Sequence, residues 1–472
     1  MLIQASNKLS GPLHSAEPYF SNKTQILSLA ATDAFHEKSF GKDEAAFVME
    51  VLQTEIDRMR THKNAHKRRY LKSIRHLNHV HKVLPPSMFL KGLVRESSTA
   101  VAGGGFADIW TGRLDKQRVC IKVLRFFQQG SDREALLKAL SKEVLLWRQL
   151  NHPNILPFLG INTELFSPSF CIVSPWMSNG DIMSYARNSS LDLSTKLEHT
   201  IQIAEGLFYL HGLDPPVVHG DIKGANILIS DERRCCLADF GLSVLDTQSM
   251  NPAHTASVQG SLRWLAPEFI NPTPMPIQGR LTSRDIYAFG CTVFEILTGQ
   301  PPFSHHNLDI SVAIDVLKGV RPVLPSLVIP KEDVFKSICA MLDSCWTEEI
   351  KHRPDARDVL DFLKHVHNLL RYPEQELELF SLFTVLNAAE KVPKSSLSVT
   401  KRDVIITLLA PNGFRTIVAE IRMTSSTATL FQMVKYPVAS LSLLGLRGSQ
   451  RYRRTLPQLW LMHVIETNIP IL

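Results

Sequence analysis

Residues Val217 to Leu228 read V-V-H-G-D-I-K-G-A-N-I-L. Two apolar pairs, Val217-Val218 and Ile227-Leu228, bracket a polar centre. That pattern suits a loop held at both ends by a core, with Asp221, Lys223 and Asn226 turned into a cleft. An isolated loop of this kind could equally be a surface turn. Other segments must supply the rest of a site.

They do so in order. Val101 to Gly112 reads V-A-G-G-G-F-A-D-I-W-T-G. Consecutive glycines let backbone N–H groups approach an anion closely, because no Cβ intervenes. The run Val119 to Leu124 follows, apolar except for Lys122. Strand alternation puts Lys122 on one face with Cys120 and Leu124, and a charge there needs a partner or a phosphate. The spacing predicts a helix from Asp132 to Leu150, with Glu143 beside its apolar face as a partner for Lys122. Asn151 to Asn154 breaks that helix. Ser174 to Gly180 reads as an extended linker ending in a turn. Thr195 and Glu198 form a capping-box pattern for a helix reaching His211, which delivers the chain to the polar loop. Ile227 to Ile229 and Cys235 to Ala238 then read as a short hairpin ending at Asp239-Phe240-Gly241.

Taken together, these residues resemble the protein kinases. Five motifs stand in order: the glycine loop, V-C-I-K, H-G-D-I-K-G-A-N, D-F-G and Ala266-Pro267-Glu268. Downstream, Asp285-Ile286-Tyr287-Ala288-Phe289-Gly290, Gly299-Gln300-Pro301-Pro302-Phe303, Trp346 and Arg353-Pro354 agree. The resemblance covers residues 93–371 and implies a bilobal α+β kinase fold, with a small β-rich lobe and a larger helical one. It implies Mg2+-dependent transfer of the ATP γ-phosphoryl to protein substrates, with Mn2+ as an alternative ion. It makes Asp221 the base for the acceptor hydroxyl and puts Lys223 on the transferred phosphoryl. Lys122, paired with Glu143, would hold the α- and β-phosphates, and Asn226 and Asp239 the metal ions. Ala102, Gly103, Gly104, Gly105, Phe106 and Ala107 would cover the phosphates. Ile109, Cys120 and Leu228 would sandwich the adenine. Pro175 and Met177 would meet its edge, and Ser174 would stand at the rear of the pocket. His219 would pack against Phe240, and Glu268 would pair with Arg353.

Lys223, Gly260 to Leu265 and Lys318 to Pro322 resemble the Ser/Thr-directed, tyrosine-kinase-like group, and the G-G-F-A-D-I-W loop is similar to its fungal members. Two departures stand out. Alanines at 102 and 107 replace the outer glycines of the loop, which implies a looser phosphate grip. Gly220 replaces the arginine usual before the catalytic aspartate, removing one coupling between activation-loop phosphorylation and activity. The alternative function is that of a pseudokinase, a nucleotide-binding or scaffolding module without transfer.

Outside residues 93–371 the chain is less explicit. A length of 472 residues implies more than one unit. Residues 1–42 lack sustained periodicity, and a mobile, disordered lead-in is expected. Residues 43–84 read as a basic amphipathic helical segment, free of acidic residues from Arg58 to Lys82. Its basic face suits an acidic partner, RNA or a membrane, or else packs on the next domain. Residues 372–472 show the periodicity of neither helix nor sheet, so an accessory domain, a disordered tail and non-native sequence all stay open. The net charge of +7 does not call for nucleic acid. Seven scattered cysteines suit reduced thiols. No apolar run approaches the ~18–20 residues of a membrane span and no secretory leader is visible, so an intracellular, cytoplasmic location is expected. Oligomeric state is left open.

Overall fold

The computed structural model describes residues 23–59, 65–103, 107–125, 140–239, 261–271, 281–325, 331–371, 401–410, 413–424 and 427–432. Three helices come first: α1 (Lys23–Ala30), α2 (Lys42–Arg58) and α3 (Ala65–His81). Residues 23–42 of the expected mobile lead-in carry α1 and the start of α2, while residues 1–22 lie outside the described residues, and the helical segment expected at 43–84 is divided into α2 and α3. Ile26, Phe35, Leu52, Ile74 and Leu77 are all buried in one core that also holds Val144, Leu145 and Trp147. Helix α1, at eight residues, is too short to be ordered alone. It gains its stability by packing on α2 and α3, which single-segment periodicity does not register. Lys67 is buried and burial lowers its pKa, so part of the basic stretch is packed rather than displayed.

The smaller lobe is a curled sheet. Its strands are β1 (Leu93–Arg95), β2 (Ala102–Gly103), β3 (Ala107–Leu114), β4 (Gln117–Leu124), β5 (Gly160–Asn162) and β6 (Cys171–Pro175). The order is β1-β3-β4-β6-β5, with β2 paired to β3. Val119, Ile121 and Val123 of β4 are buried with Leu93, Cys171 and Val173 on one side of the sheet. The alternation leaves Cys120 and Lys122 half-buried on the other. A helix, α4, crosses behind; its described part covers 140–147. The N-terminal helices are tied to its end. Asp57 pairs with Arg148 at 2.5 Å, and Gln53 accepts from Gln149 at 2.8 Å.

The larger lobe holds α5 (Ile182–Ser189), α6 (Leu193–His211), the hairpin β7 (Ile227–Ile229) with β8 (Cys235–Leu237), and α7 (Pro267–Ile270). It continues through α8 (Ser283–Thr298), α9 (Asp309–Leu317), α10 (Glu332–Cys345) and α11 (Ala356–Arg371). The cap of α6 is not Thr195. Asp192 accepts from the Thr195 N–H at 2.8 Å, so the helix starts three residues earlier than the Thr195-Glu198 pattern predicts. A carboxylate there also meets the positive end of the helix dipole. Helix α8 is apolar nearly all round and forms the buried axis of the lobe. Gly299, at φ +74°, ends it by donating to the Glu295 carbonyl. Among the described residues no helix is long and apolar enough to cross a membrane.

Residues 372–472, which show no sheet periodicity, nevertheless contain an antiparallel sheet in the order β11-β10-β9. Its strands are β9 (Lys401–Ala410), β10 (Gly413–Thr424) and β11 (Thr427–Gln432). Apolar and polar residues do not alternate cleanly along them, so the period-2 signal is lost.

Candidate active site

The polar loop is suspended from α8. The Asp285 carboxylate accepts from the backbone N–H groups of His219 and Gly220, at 2.8 and 2.7 Å, and bonds His211 Nε2 at 2.9 Å. Burial works against its charge, yet the His211 bond and neighbouring positive charge hold its carboxyl below the ordinary range. Glu295, further along α8, accepts from the Gly224 N–H at 2.9 Å. His219 is fully buried. Its Nε2 donates to the Ala238 carbonyl at 3.0 Å and its Nδ1 accepts from the Asp221 N–H at 3.3 Å. Burial lowers its pKa, so it is a neutral strut. Its expected neighbour Phe240 lies outside the described residues.

Gly220 sits at φ +83°, and Arg284 Nη2 donates to its carbonyl at 2.9 Å. A side chain in that left-handed conformation is strained. Gly220→Ala is therefore expected to cost about 1–2 kcal/mol, read as a lower urea midpoint at unchanged slope. The departure from arginine thus does more than remove a guanidinium. It relieves the backbone at the residue before Asp221.

The remaining groups meet above this loop. Asn226 Nδ2 donates to Asp221 Oδ2 at 2.7 Å and to the Asp221 carbonyl at 2.8 Å. Both partners are acceptors, which fixes the amide's orientation and leaves Asn226 Oδ1 available to a cation. Lys223 Nζ lies 2.9 Å from Asp221 Oδ2 and 2.6 Å from Ser261 Oγ. Asp239, at φ +55°, is 2.5 Å from Lys122 Nζ. A positive φ away from glycine is backbone strain of the kind found at functional sites. The Lys122 charge holds the Asp239 carboxyl below its ordinary range. Burial alone would lower Lys122, but Asp239 outweighs it and raises its pKa.

This pairing differs from the expected one. Lys122 bonds Asp239, and Glu143 lies beyond ion-pair reach while still acting on Lys122 through its field. Burial pushes the Glu143 carboxyl up from 4.5 to about 7, with Lys122 opposing. Lys122 and Asp239 satisfy each other, and burial makes Glu143 hold its proton more tightly than an ordinary carboxyl. A raised carboxylate pKa means that the folded state binds the proton more tightly. Stability from this group is present below about pH 4.5 and is lost as pH rises through about 7. Glu143→Gln should therefore reduce the loss of unfolding temperature between pH 5 and pH 8. An unchanged pH profile would refute this.

The residues expected to face adenine line up through sheet register. Ile109 pairs with Lys122, and Cys120 with Ser174. Leu228 is bridged to Asp181, just beyond the linker carrying Pro175 and Met177, and the Ile229 N–H donates to the Gly180 carbonyl at 2.9 Å. Ile109, Cys120, Pro175, Met177 and Leu228 are all half-buried, and Ser174 is buried behind them. Burial pushes the Cys120 thiol up to about 11. Ala102, Gly103 and Ala107 form the sides of the β2–β3 turn. Gly104, Gly105 and Phe106 lie outside the described residues. In the larger lobe Arg353 and Glu268 form a two-pronged ion pair at 2.6 and 2.9 Å. In the sequence Asp285 stands only as a marker of the larger lobe. Its role as anchor needs the His211 and loop contacts, which lie about 65–75 positions away.

A lysine–aspartate pair, an aspartate braced by an asparagine and a lysine, and an apolar slot beside them share one cleft between two lobes. Residues 96–363 match the family model for protein tyrosine and serine/threonine kinases, and the chain belongs to that family. Curated relatives include the serine/threonine-protein kinase STY46 of Arabidopsis thaliana, 30% identical over 269 residues. The alignment covers 56% of this chain and 43% of that protein. The serine/threonine/tyrosine-protein kinase HT1 of the same plant is 31% identical over 268 residues, covering 56% and 64%. The dual specificity protein kinase shkC of Dictyostelium discoideum is 30% identical over 270 residues, covering 56% and 50%. The chain thus spans less than two thirds of each of these relatives.

Proposed function

We propose that this chain is an ATP-dependent protein kinase directed to serine and threonine hydroxyls. The observation that carries the reading is the meeting of Asp221, Lys223, Asn226, Lys122 and Asp239 in one cleft, drawn from segments far apart in the chain. Asp221 accepts the proton of the substrate hydroxyl as its oxygen bonds to the γ-phosphorus. The bond from that phosphorus to the β–γ bridging oxygen breaks, and ADP leaves with the electron pair. Lys122 and Lys223 offset negative charge on the phosphates. Asn226 Oδ1 and the Asp239 carboxylate are hard oxygen donors and fit Mg2+, or Mn2+, which when bound neutralises phosphate charge.

Lys223, two residues after Asp221, supports hydroxyl acceptors on Ser and Thr. HT1 and shkC carry names that include tyrosine or dual specificity. The test therefore reads the acceptor directly. Purified chain, radiolabelled ATP and a mixed peptide substrate should yield phosphoserine and phosphothreonine with wild type and neither with Asp221→Asn. Equal labelling by both proteins would instead leave a scaffolding, pseudokinase role. Phosphotyrosine in comparable amount would overturn the acceptor assignment. An intracellular location goes with this reading, since ATP is the donor and all seven cysteines are free thiols.

A further inference from the structure

We propose that His305, His306 and Asp315 form a surface site for one divalent transition-metal ion, with Zn2+ as the ion their chemistry favours. One ligand atom from each lies within 4.8 Å of the others. The two imidazole rings are 4.2 Å apart, and His306 Nε2 is 2.7 Å from Asp315 Oδ2. Around a tetrahedral Zn2+, bond lengths of about 2.0–2.1 Å put ligand atoms about 3.3–3.4 Å apart. The observed separations bracket that value, so side-chain rotation alone brings the three groups onto an ion. His305 is exposed, and His306 and Asp315 are about one quarter exposed, at 26% and 27%. The fourth position therefore opens to water, and the ion can enter.

The backbone under the site is held in place. Arg263 donates to the carbonyls of Pro302, Phe303 and His306 at 3.1, 2.7 and 2.8 Å. The His306 N–H bonds the Phe303 carbonyl at 2.9 Å. Phe303 itself is buried at φ +55°, an unfavourable conformation for a bulky residue, which the surrounding bonds over-determine. Asp315 stands on α9, where its carbonyl receives the N–H groups of Lys318 and Val320. The guanidinium of Arg263 is met by Asp309 Oδ1 at 3.3 Å, which offsets its positive charge. Two imidazoles and a carboxylate suit Zn2+, whereas Mg2+ prefers an all-oxygen octahedron. The site is thus chemically distinct from the Asn226–Asp239 pair. It binds its ion whether or not the chain transfers phosphate.

The test uses the full chain, stripped with a chelator and titrated calorimetrically with Zn2+ in buffer containing Mg2+. Wild type should bind one ion at this site, reversibly to chelator, with a rise in unfolding temperature. His305→Gln with His306→Gln, and separately Asp315→Asn, should weaken binding by more than the ~10–100-fold typical of losing an outer-shell partner. The temperature rise should vanish in both. Circular dichroism in the absence of Zn2+ checks folding, and Asp315→Asn decides if the double variant does not fold. Equal binding by wild type and variants means adventitious binding by other histidines and overturns the site. Absence of stoichiometric binding in wild type overturns it as well.

Discussion

Asp221→Asn is expected to lower phosphate transfer by about 10²–10⁴-fold, the usual contribution of a positioned general base. The substitution is close to isosteric. Its amide oxygen still accepts from Asn226 Nδ2, which in the native protein bonds Asp221 Oδ2 at 2.7 Å. The ion pair with Lys223 is lost, but that aspartate side chain is 31% exposed, so the pair adds little stability. The unfolding temperature should stay close to that of wild type. Asp221 is not among the residues assigned to the nucleotide, so kcat should fall while KM for ATP changes little. A large rise in KM with kcat preserved would move Asp221 from the chemical step to nucleotide binding.

Asp285→Ala should be among the most destabilising single changes in the larger lobe, at about 3–5 kcal/mol, as expected when one partner of a buried charged network is removed. Three donors lose their acceptor at once: the His219 and Gly220 N–H groups and His211 Nε2. Each is in a region where water does not readily replace the carboxylate. Asp285→Asn keeps one oxygen and should cost clearly less. The pH dependence follows the sign of the shift. The Asp285 pKa is lowered on folding, so its stabilisation is present above the ordinary aspartate value of 3.8 and is lost as pH falls through the depressed one. Urea unfolding of wild type and both variants at neutral and acid pH measures this. A loss below about 1 kcal/mol for Asp285→Ala, far less than removal of a buried charged partner costs, would show that the loop is held by other contacts.

Much of the site is written locally. Lys122, Asp221, Asn226 and Asp239 each stand in a short stretch whose polarity contrasts with apolar flanks, and β4 alternates as its sequence says. What local patterns misassign is pairing. Glu143 and Asp239 are both carboxylates that folding brings near Lys122, and spacing cannot rank them. The choice depends on distance and burial in the assembled cleft, which favour Asp239 at 2.5 Å. Thr195 and Asp192 are both capping residues, and the backbone path into α6 selects the second.

The opposite error occurs at the ends of the chain. Helix α1, eight residues long, is too short to hold together alone, and its Ile26 and Ala30 are buried in the core shared with α2 and α3. Arg148 and Gln149 then join these helices to the end of α4, the helix that also carries Glu143. No periodicity in residues 23–58 specifies that contact.

For the loop from Val217 to Leu228, the sequence by itself determined which groups are available: an aspartate, a lysine and an asparagine between apolar anchors. It also determined that Gly220 can take a left-handed backbone without strain. Only the tertiary structure decided what holds them. Asp285 and Glu295 come from one buried helix, and a buried carboxylate is stable only where several donors converge on it. Such convergence is a property of packed segments in three dimensions, which residue order along the chain does not contain.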